Sequence, residues 1–274
     1  MRRDKIFLVF KKDWHEISRN WQVTAPIIAM PLMIAISLPF ILNAISNMAS
    51  LSGSSTGVFE AMIRNLPRQL RQELTAMTYQ QAIFYMLSSY LVAPVFLIIP
   101  LLTSSVIASD SFAGEKERKT IEALLATPIT DGELFLGKVL ISFIPSMAIT
   151  LTSFLVYSII IDIFSSTLFN GELLLPNLLW GLLIVGLAPT IAFASIGLTV
   201  MISFRVRGFR EAQQLSAFLM IPIMIVAFGQ VSGAIILGPV VLCASIGLFA
   251  MFDVILFNFG LGLFGRDEIL SKLS

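Results

Sequence analysis

Ser109-Asp-Ser-Phe-Ala-Gly-Glu-Lys-Glu-Arg-Lys-Thr-Ile-Glu-Ala-Leu-Leu-Ala-Thr-Pro128 is the most charged of the stretches that separate the long apolar runs of this chain. On its N-terminal side lies an uninterrupted apolar run at roughly 82–108, and on its C-terminal side another at roughly 137–161. Each is long enough for a helix to cross the hydrocarbon core, which takes about 20 mostly apolar residues. The charged stretch is therefore a loop held between two membrane spans, where a membrane protein meets what is in the water.

Working outward, the same test picks out four more spans, at roughly 23–44, 177–202, 212–229 and 235–260. Composition agrees: 57% of the 274 residues are hydrophobic, only 13% are charged and the mean hydropathy is +0.89. A soluble globule carries about a quarter charged residues, so a soluble enzyme or binding domain is excluded. The expected fold is an all-α integral membrane protein, a six-transmembrane-helix bundle forming a single domain over 1–274. The last two spans are separated only by Gly229-Gln-Val-Ser-Gly233 and Gly238-Pro239, where glycine and proline favour either a turn or a short re-entrant segment. Prolines 26, 31, 39, 94, 100, 145, 189 and 222 fall inside spans, where neighbouring helices can satisfy the carbonyls they free; kinked rather than broken helices are expected.

Lysines and arginines accumulate on the cytoplasmic side. Residues 1–20 hold six, the stretches 109–138 and 203–212 hold four and three, and the tail after Gly265 holds two; only Arg64, Arg68 and Arg71 lie on the opposite face. This places both termini in the cytoplasm of a multi-pass plasma-membrane protein, which requires an even number of spans. The net charge of +1 points to no nucleic-acid partner, and the single Cys243 excludes an intrachain disulfide. The first span, preceded by many charges and followed by no small-residue cleavage site, reads as an anchor.

Residues 1–21 form an amphipathic segment. Phe7, Phe10, Trp14, Ile17 and Trp21 recur at spacings of three and four, which predicts an interfacial helix lying in the membrane surface against lipid. His15 and Glu16 do not make a metal site, because the chain has no second histidine. The outer loop, 45–81, begins rich in Ser and Gly and then places Phe59, Met62, Ile63, Leu66 and Leu70 at helical spacing.

Within the charged stretch, Glu115 with Lys119 and Arg118 with Glu122 are opposite charges four apart, and Ile121, Leu124 and Leu125 add a small apolar stripe. Thr127-Pro128 stops that helix. Thr130-Asp-Gly-Glu133 then has capping-box spacing and starts the third span. These signals predict a short charged helix within 109–133, between spans two and three.

Gly114-Glu-Lys-Glu-Arg-Lys-Thr-Ile-Glu-Ala-Leu-Leu-Ala-Thr-Pro128 closely resembles the first cytoplasmic loop of the type-2 ATP-binding-cassette (ABC) transporter permeases, including their sodium- and multidrug-efflux branch. Lys119 stands at a position that is often glycine in those relatives. The resemblance implies that this loop carries a coupling helix docked on an ATPase subunit, with contact roles for Glu115, Lys116, Glu117, Arg118, Thr120, Glu122, Leu125 and Pro128. It also implies a dimer with a second permease copy or a paralogue, and export driven by separate ATPase subunits.

Gly132-Glu-Leu-Phe-Leu-Gly-Lys-Val139 nearly matches a phosphate-binding loop, but Val139 replaces the required hydroxyl and no strand precedes it. Lys138 reads instead as an interfacial anchor of the third span. No enzymatic activity and no cofactor are therefore expected in this chain; ATP and magnesium belong to the partner. Two acids remain. Asp162 sits near the outer end of the third span. Asp253, inside the last span, is with Asn43 a candidate substrate or cation site, or else an acid bonded to an amide such as Asn258 or Asn43. An ion-driven transporter or channel is the alternative reading, which explains the spans but not the loop.

Overall fold

The computed structural model describes residues 3–52, 68–120, 127–203, 205–206, 208–231 and 237–263. Outside them lie the predicted contact residues Glu122 and Leu125, the outer-loop positions Phe59, Met62, Ile63 and Leu66, most of the turn between the last two spans, and the C-terminal tail. Among the described residues the chain is helical: α1 (Arg3–Arg19), α2 (Trp21–Ser52), α3 (Arg68–Thr75), α4 (Tyr79–Glu117), α5 (Asp131–Leu168), α6 (Leu178–Ser203), α7 (Phe209–Val231) and α8 (Pro239–Leu263). Six of these, α2 and α4 to α8, are long and apolar enough to cross a membrane. The protein is an all-α, six-span membrane bundle.

The spans are not equivalent. In α4 72% of the most apolar window is enclosed by protein, against 17% in α7 and 11% in α8, so α4 is the central helix and the last two spans lie at the periphery. Around α4 pack α5 and α6, with α2 on α5 and α8 on α6. The middle of the core is aromatic: the Trp180 ring stacks on Phe154 at 5.4 Å and meets Phe96 edge-on at 5.3 Å.

Proline and helix geometry are linked in this core. The five residues Leu87–Leu91 of α4 and the six residues Leu182–Leu187 of α6 are π-helical, and Pro94 and Pro189 follow shortly after. Widening the preceding turn relieves the clash of a proline ring with the carbonyl four residues back. The backbone oxygens loosened in α4 are not left bare. Tyr157 Oη donates to the carbonyl of Ser88 at 2.9 Å, and Trp180 Nε1 donates to that of Ser89 at 3.2 Å. The prolines of α2 and α5 are absorbed within continuous helices.

Several boundaries move relative to the sequence reading. The first span continues to Ser52, well past residue 44, and the second runs on through Glu117. As far as Glu117 the charged segment belongs to the final turns of α4, where its polar residues find partners inside the protein; the part of the predicted helix at 121–126 lies outside the described residues. The capping box at the start of α5 forms as the spacing predicts: Glu133 N donates to Thr130 Oγ1 at 3.4 Å and Thr130 N to Glu133 Oε2 at 3.1 Å. Of the outer loop, Leu70 lies on α3, whose Leu74 packs on Ala82, Ile83 and Met86. Asp162 is a structural acid; its Oδ1 accepts from the amides of Leu174 and Leu175, both at 3.0 Å, and so fixes the segment that follows α5.

Candidate functional site

One end of the bundle gathers α1, the last turns of α4, the start of α5 and the start of α7. What holds them is an ionic network centred on Glu115 and Lys138, which are 1% and 0% exposed. Lys138 Nζ lies 2.6 Å from Glu115 Oε2, 3.7 Å from Asp13 Oδ2 and 3.2 Å from Ser111 Oγ, and it also donates to the Ser111 carbonyl. Ser111 Oγ in turn donates to Asp13 Oδ2 at 2.9 Å. A lysine this enclosed needs a counter-charge and acceptors at every side, since the desolvation of each ion costs several kcal/mol. Lys138 is therefore not the snorkelling anchor expected from its place near a span end; it is a buried partner of the loop motif.

The second layer is supplied by α1. Its inward face is Val9, Asp13 and Ile17, four residues apart and all buried. Phe7, Phe10 and Trp14 form a continuous stack on another face, with ring centroids 6.1 and 6.3 Å apart. Ile17 does not belong to that stripe; it sits one position further round the helix and packs with Ile27, Ile107 and Ile141. Trp21 is also separate, because the chain bends at Asn20 and Trp21 opens α2, 77% exposed. Gly137 explains how α1 comes so close to α5: a Cβ there would lie 2.7 Å from Val9 Cβ and 3.2 Å from the Ile6 carbonyl oxygen. A small residue at a helix crossing lets the backbones approach, and this one seats α1 on the bundle.

From α1, Lys12 reaches Glu115 Oε1, and lies 3.1 Å from Asp13 Oδ1 and 3.5 Å from Glu16 Oε2. Burial alone would lower the Lys12 ammonium, but Asp13 and Glu115 outweigh it and hold it above its ordinary value. Oxygens of Asp13, Glu16 and Glu115 lie within 4.8 Å of one another, a spacing that could gather a metal ion. The Lys12 ammonium contacts all three carboxylates, and so takes the cation's place.

Arg118 closes the network outward. Its guanidinium bridges Asp110 Oδ1 at 3.0 Å and Glu16 Oε1 at 2.9 Å. Burial opposes its charge, and the Asp110 hydrogen bond, Asp110's charge and Glu16 reverse that, raising it above its ordinary value. Gly114 makes room for this pair, because a Cβ there would sit 2.8 Å from Asp110 Oδ1.

Two motif residues face the opposite way, toward α7. Lys116 Nζ donates to the Val206 carbonyl at 3.0 Å, and Phe209 N donates to Glu117 Oε2 at 2.9 Å. Glu117 thus places a negative charge on the N-terminus of α7, where the helix dipole favours it. Gly208 permits the approach; a Cβ there would meet Glu117 Oε2 at 2.5 Å.

α4 then stops at Lys119, whose φ is +56°. Lys119 N bonds the Lys116 carbonyl at 3.2 Å and Thr120 N bonds that of Glu115 at 3.0 Å, the pair of bonds that ends a helix in a left-handed residue. A left-handed C-terminal residue is usually glycine, which is the physical sense of glycine at this position in the proteins the loop resembles. It also removes Lys119 from the helical pair with Glu115 that the spacing suggested. Lys119 and Thr120 are exposed, as is Pro128, whose carbonyl accepts from Lys5 of α1.

Of the sequence-predicted contact residues, then, Glu115 is internal, Lys116, Glu117 and Arg118 are tied to neighbours, and Thr120 and Pro128 face outward. The sequence reading assigned none of Asp13, Asp110, Ser111 and Lys138 to this site, Lys138 being read as an interfacial anchor; the charges of Asp110 and Lys138 at span ends were the signal that could have found them. Asp253 lies apart, lining a cavity with Asn258 between α5, α6 and α8. Asn43, on α2, is not part of that cavity.

The family model described as ABC-2 family transporter protein matches residues 7–242, most of the chain. A search of curated proteins finds no match. The chain belongs to the ABC-2 transporter family: it is a multi-pass membrane permease subunit of an ABC transporter, the transmembrane component rather than the ATPase.

Proposed function

We propose that this permease is an exporter subunit whose ionic network transmits movement from separate ATPase subunits into the bundle. The observation that carries the reading is the wiring of the last turns of α4. Within the four residues Glu115–Arg118, one side chain binds α5 and α1, two bind the start of α7 and the segment before it, and one binds α1 and α4 itself. A push on the exposed tip at Lys119 and Thr120 is therefore shared at once by α1, α4, α5 and α7. Such a knot suits an element that must convert a local displacement into movement of several spans, since packed elements shift as units rather than deform.

In this reading the basic end of the bundle is cytoplasmic, ATP and magnesium are held by the partner, and two permeases, identical or paralogous, enclose the pathway in the plasma membrane. The ATPase meets the outward-facing Thr120 and Pro128, and contact roles fall also to Glu122 and Leu125 of the same motif, while Glu115, Lys116, Glu117 and Arg118 connect this segment to the spans. The short aromatic face of α1, Phe7, Phe10 and Trp14, rests on lipid.

The test is co-purification with flux. The tagged chain should bring down an ATP-hydrolysing subunit, and proteoliposomes holding both should move cargo only with ATP. Thr120→Arg with Leu125→Glu should release the ATPase and leave the unfolding temperature of the permease unchanged. Transport that proceeds in the absence of ATP and of any such subunit would establish the ion-driven reading instead.

A further inference from the structure

Among the described residues, Asp253 is a charged group well inside a span that the network above does not use and to which no backbone amide donates. It lies seven residues before the end of the Pro239–Gly260 span, roughly 10 Å along the helix from that end. One of its carboxylate oxygens is enclosed with no hydrogen-bond partner. The acid lines a cavity of about 270 Å³, together with Asn258 and the rings of Phe135, Phe193 and Phe257. Phe135 and Phe257 meet edge-to-face at 5.4 Å, and Phe193 is held in place by stacking on Phe143 at 4.1 Å. Beside the cavity α6 and α8 are in close contact, for a Cβ on Gly197 would lie 3.0 Å from Leu256 Cβ. Val254, which also lines the cavity, is 62% exposed, so the cavity opens to the outer surface of the bundle.

We propose that this cavity binds a hydrophobic monovalent organic cation, with Asp253 as counter-ion and the three phenylalanine rings around the cationic centre. A carboxylate in an apolar site is costly until a positive charge neutralises it. Aromatic faces attract cations, most strongly those shed easily of water, as quaternary ammonium ions are. A bare inorganic ion fits poorly. Hard cations take about six oxygens, whereas the side chains here offer one carboxylate and one amide against an apolar wall. The volume decides in the same direction, being far larger than a single ion and within reach of a small organic molecule. Another cavity, about 320 Å³ between α2, α4 and α7, is lined by no charged side chain, so it has no means of selecting charge.

As a statement about cargo the proposal rests on the exporter reading; as a binding site it does not, and binding alone is what the test measures. The chain in lipid nanodiscs is dialysed against radiolabelled benzyltrimethylammonium, with empty nanodiscs giving the lipid background. Saturable binding is expected, unaffected by excess sodium or by neopentylbenzene, which has the same shape without the charge. Asp253→Asn should weaken binding by about tenfold or more, with Asp253→Glu keeping most of it. Phe257→Leu should weaken it less, and it serves as the decisive variant if Asp253→Asn does not fold. Binding no greater than to empty nanodiscs, displacement by sodium, or equal binding by folded Asp253→Asn would overturn the proposal. ATPase association and ATP-driven flux are read separately, so either idea can fail without the other.

Discussion

Lys138 Nζ and Glu115 Oε2 are 2.6 Å apart with both side chains shut away from solvent, joining the start of α5 to the last turns of α4. Neither charge is tolerable alone at such a site. The pair is the fixed point about which α1 and the start of α7 are arranged.

Removing one member should therefore cost more than removing both. Lys138→Met is expected to lower stability by about 3–5 kcal/mol, because Glu115 is left as a buried charge whose main internal partner is gone. Glu115→Gln should be of similar severity. Lys138→Met with Glu115→Met should recover a large part of the loss, though Lys12 and Asp13 keep the recovery incomplete. Unfolding in detergent, analysed as a double-mutant cycle, measures this; additive losses would show that the two groups are not coupled.

Gly137→Val should unseat α1. The added side chain meets Val9 and the Ile6 carbonyl, an overpacking expected to cost about 1–3 kcal/mol. Limited proteolysis should cut within residues 3–19 faster while the spans stay protected. Val9→Ala on that background should restore part of the protection, and the absence of any restoration would count against Val9 as the contact.

At Lys119 the backbone is left-handed, a conformation that glycine adopts freely and β-branched residues resist. Lys119→Gly is expected to slow hydrogen exchange at the Lys119 and Thr120 amides, corresponding to roughly 0.5–1 kcal/mol of local stability. Lys119→Val should accelerate it. The reverse order would mean that the helix does not end there.

Glu117→Gln should loosen the start of α7 without disturbing α1. Losing the charge at this helix N-terminus is worth about 0.3–1 kcal/mol, seen as faster exchange at the amides of Phe209 and the next residues. Unchanged exchange there would place the Glu117 carboxylate in solvent.

Much of this architecture was legible in the sequence because its causes are local. Twenty apolar residues in a row demand a membrane span whatever surrounds them. Thr130 and Glu133 form their capping box within one turn, and the motif Gly114–Pro128 carried the family by its order of residue types alone. Where the reading went astray, the deciding partner was distant. The Glu115–Lys119 pair looked helical because both charges are four apart, yet the chain turns left-handed at Lys119 and Glu115 turns inward. Ile17 looked lipid-facing by spacing, but a helix wedged against a bundle has two apolar faces, and only the packing distinguishes them.

By itself, then, the sequence determined the class, the six spans, the start of α5 and the family, since each follows from hydropathy, short-range hydrogen bonding or residue order. Tertiary structure alone decided that the side chains of Glu115–Arg118 are tied into a knot with α1, α5 and the start of α7. Glu115 meets Lys12 across 103 residues and Lys138 across 23, and Glu117 meets Phe209 across 92. No periodicity encodes such pairings. They exist because charges carried into a low-dielectric interior must find opposite charges there, and which ones lie within reach is settled only when the helices have packed.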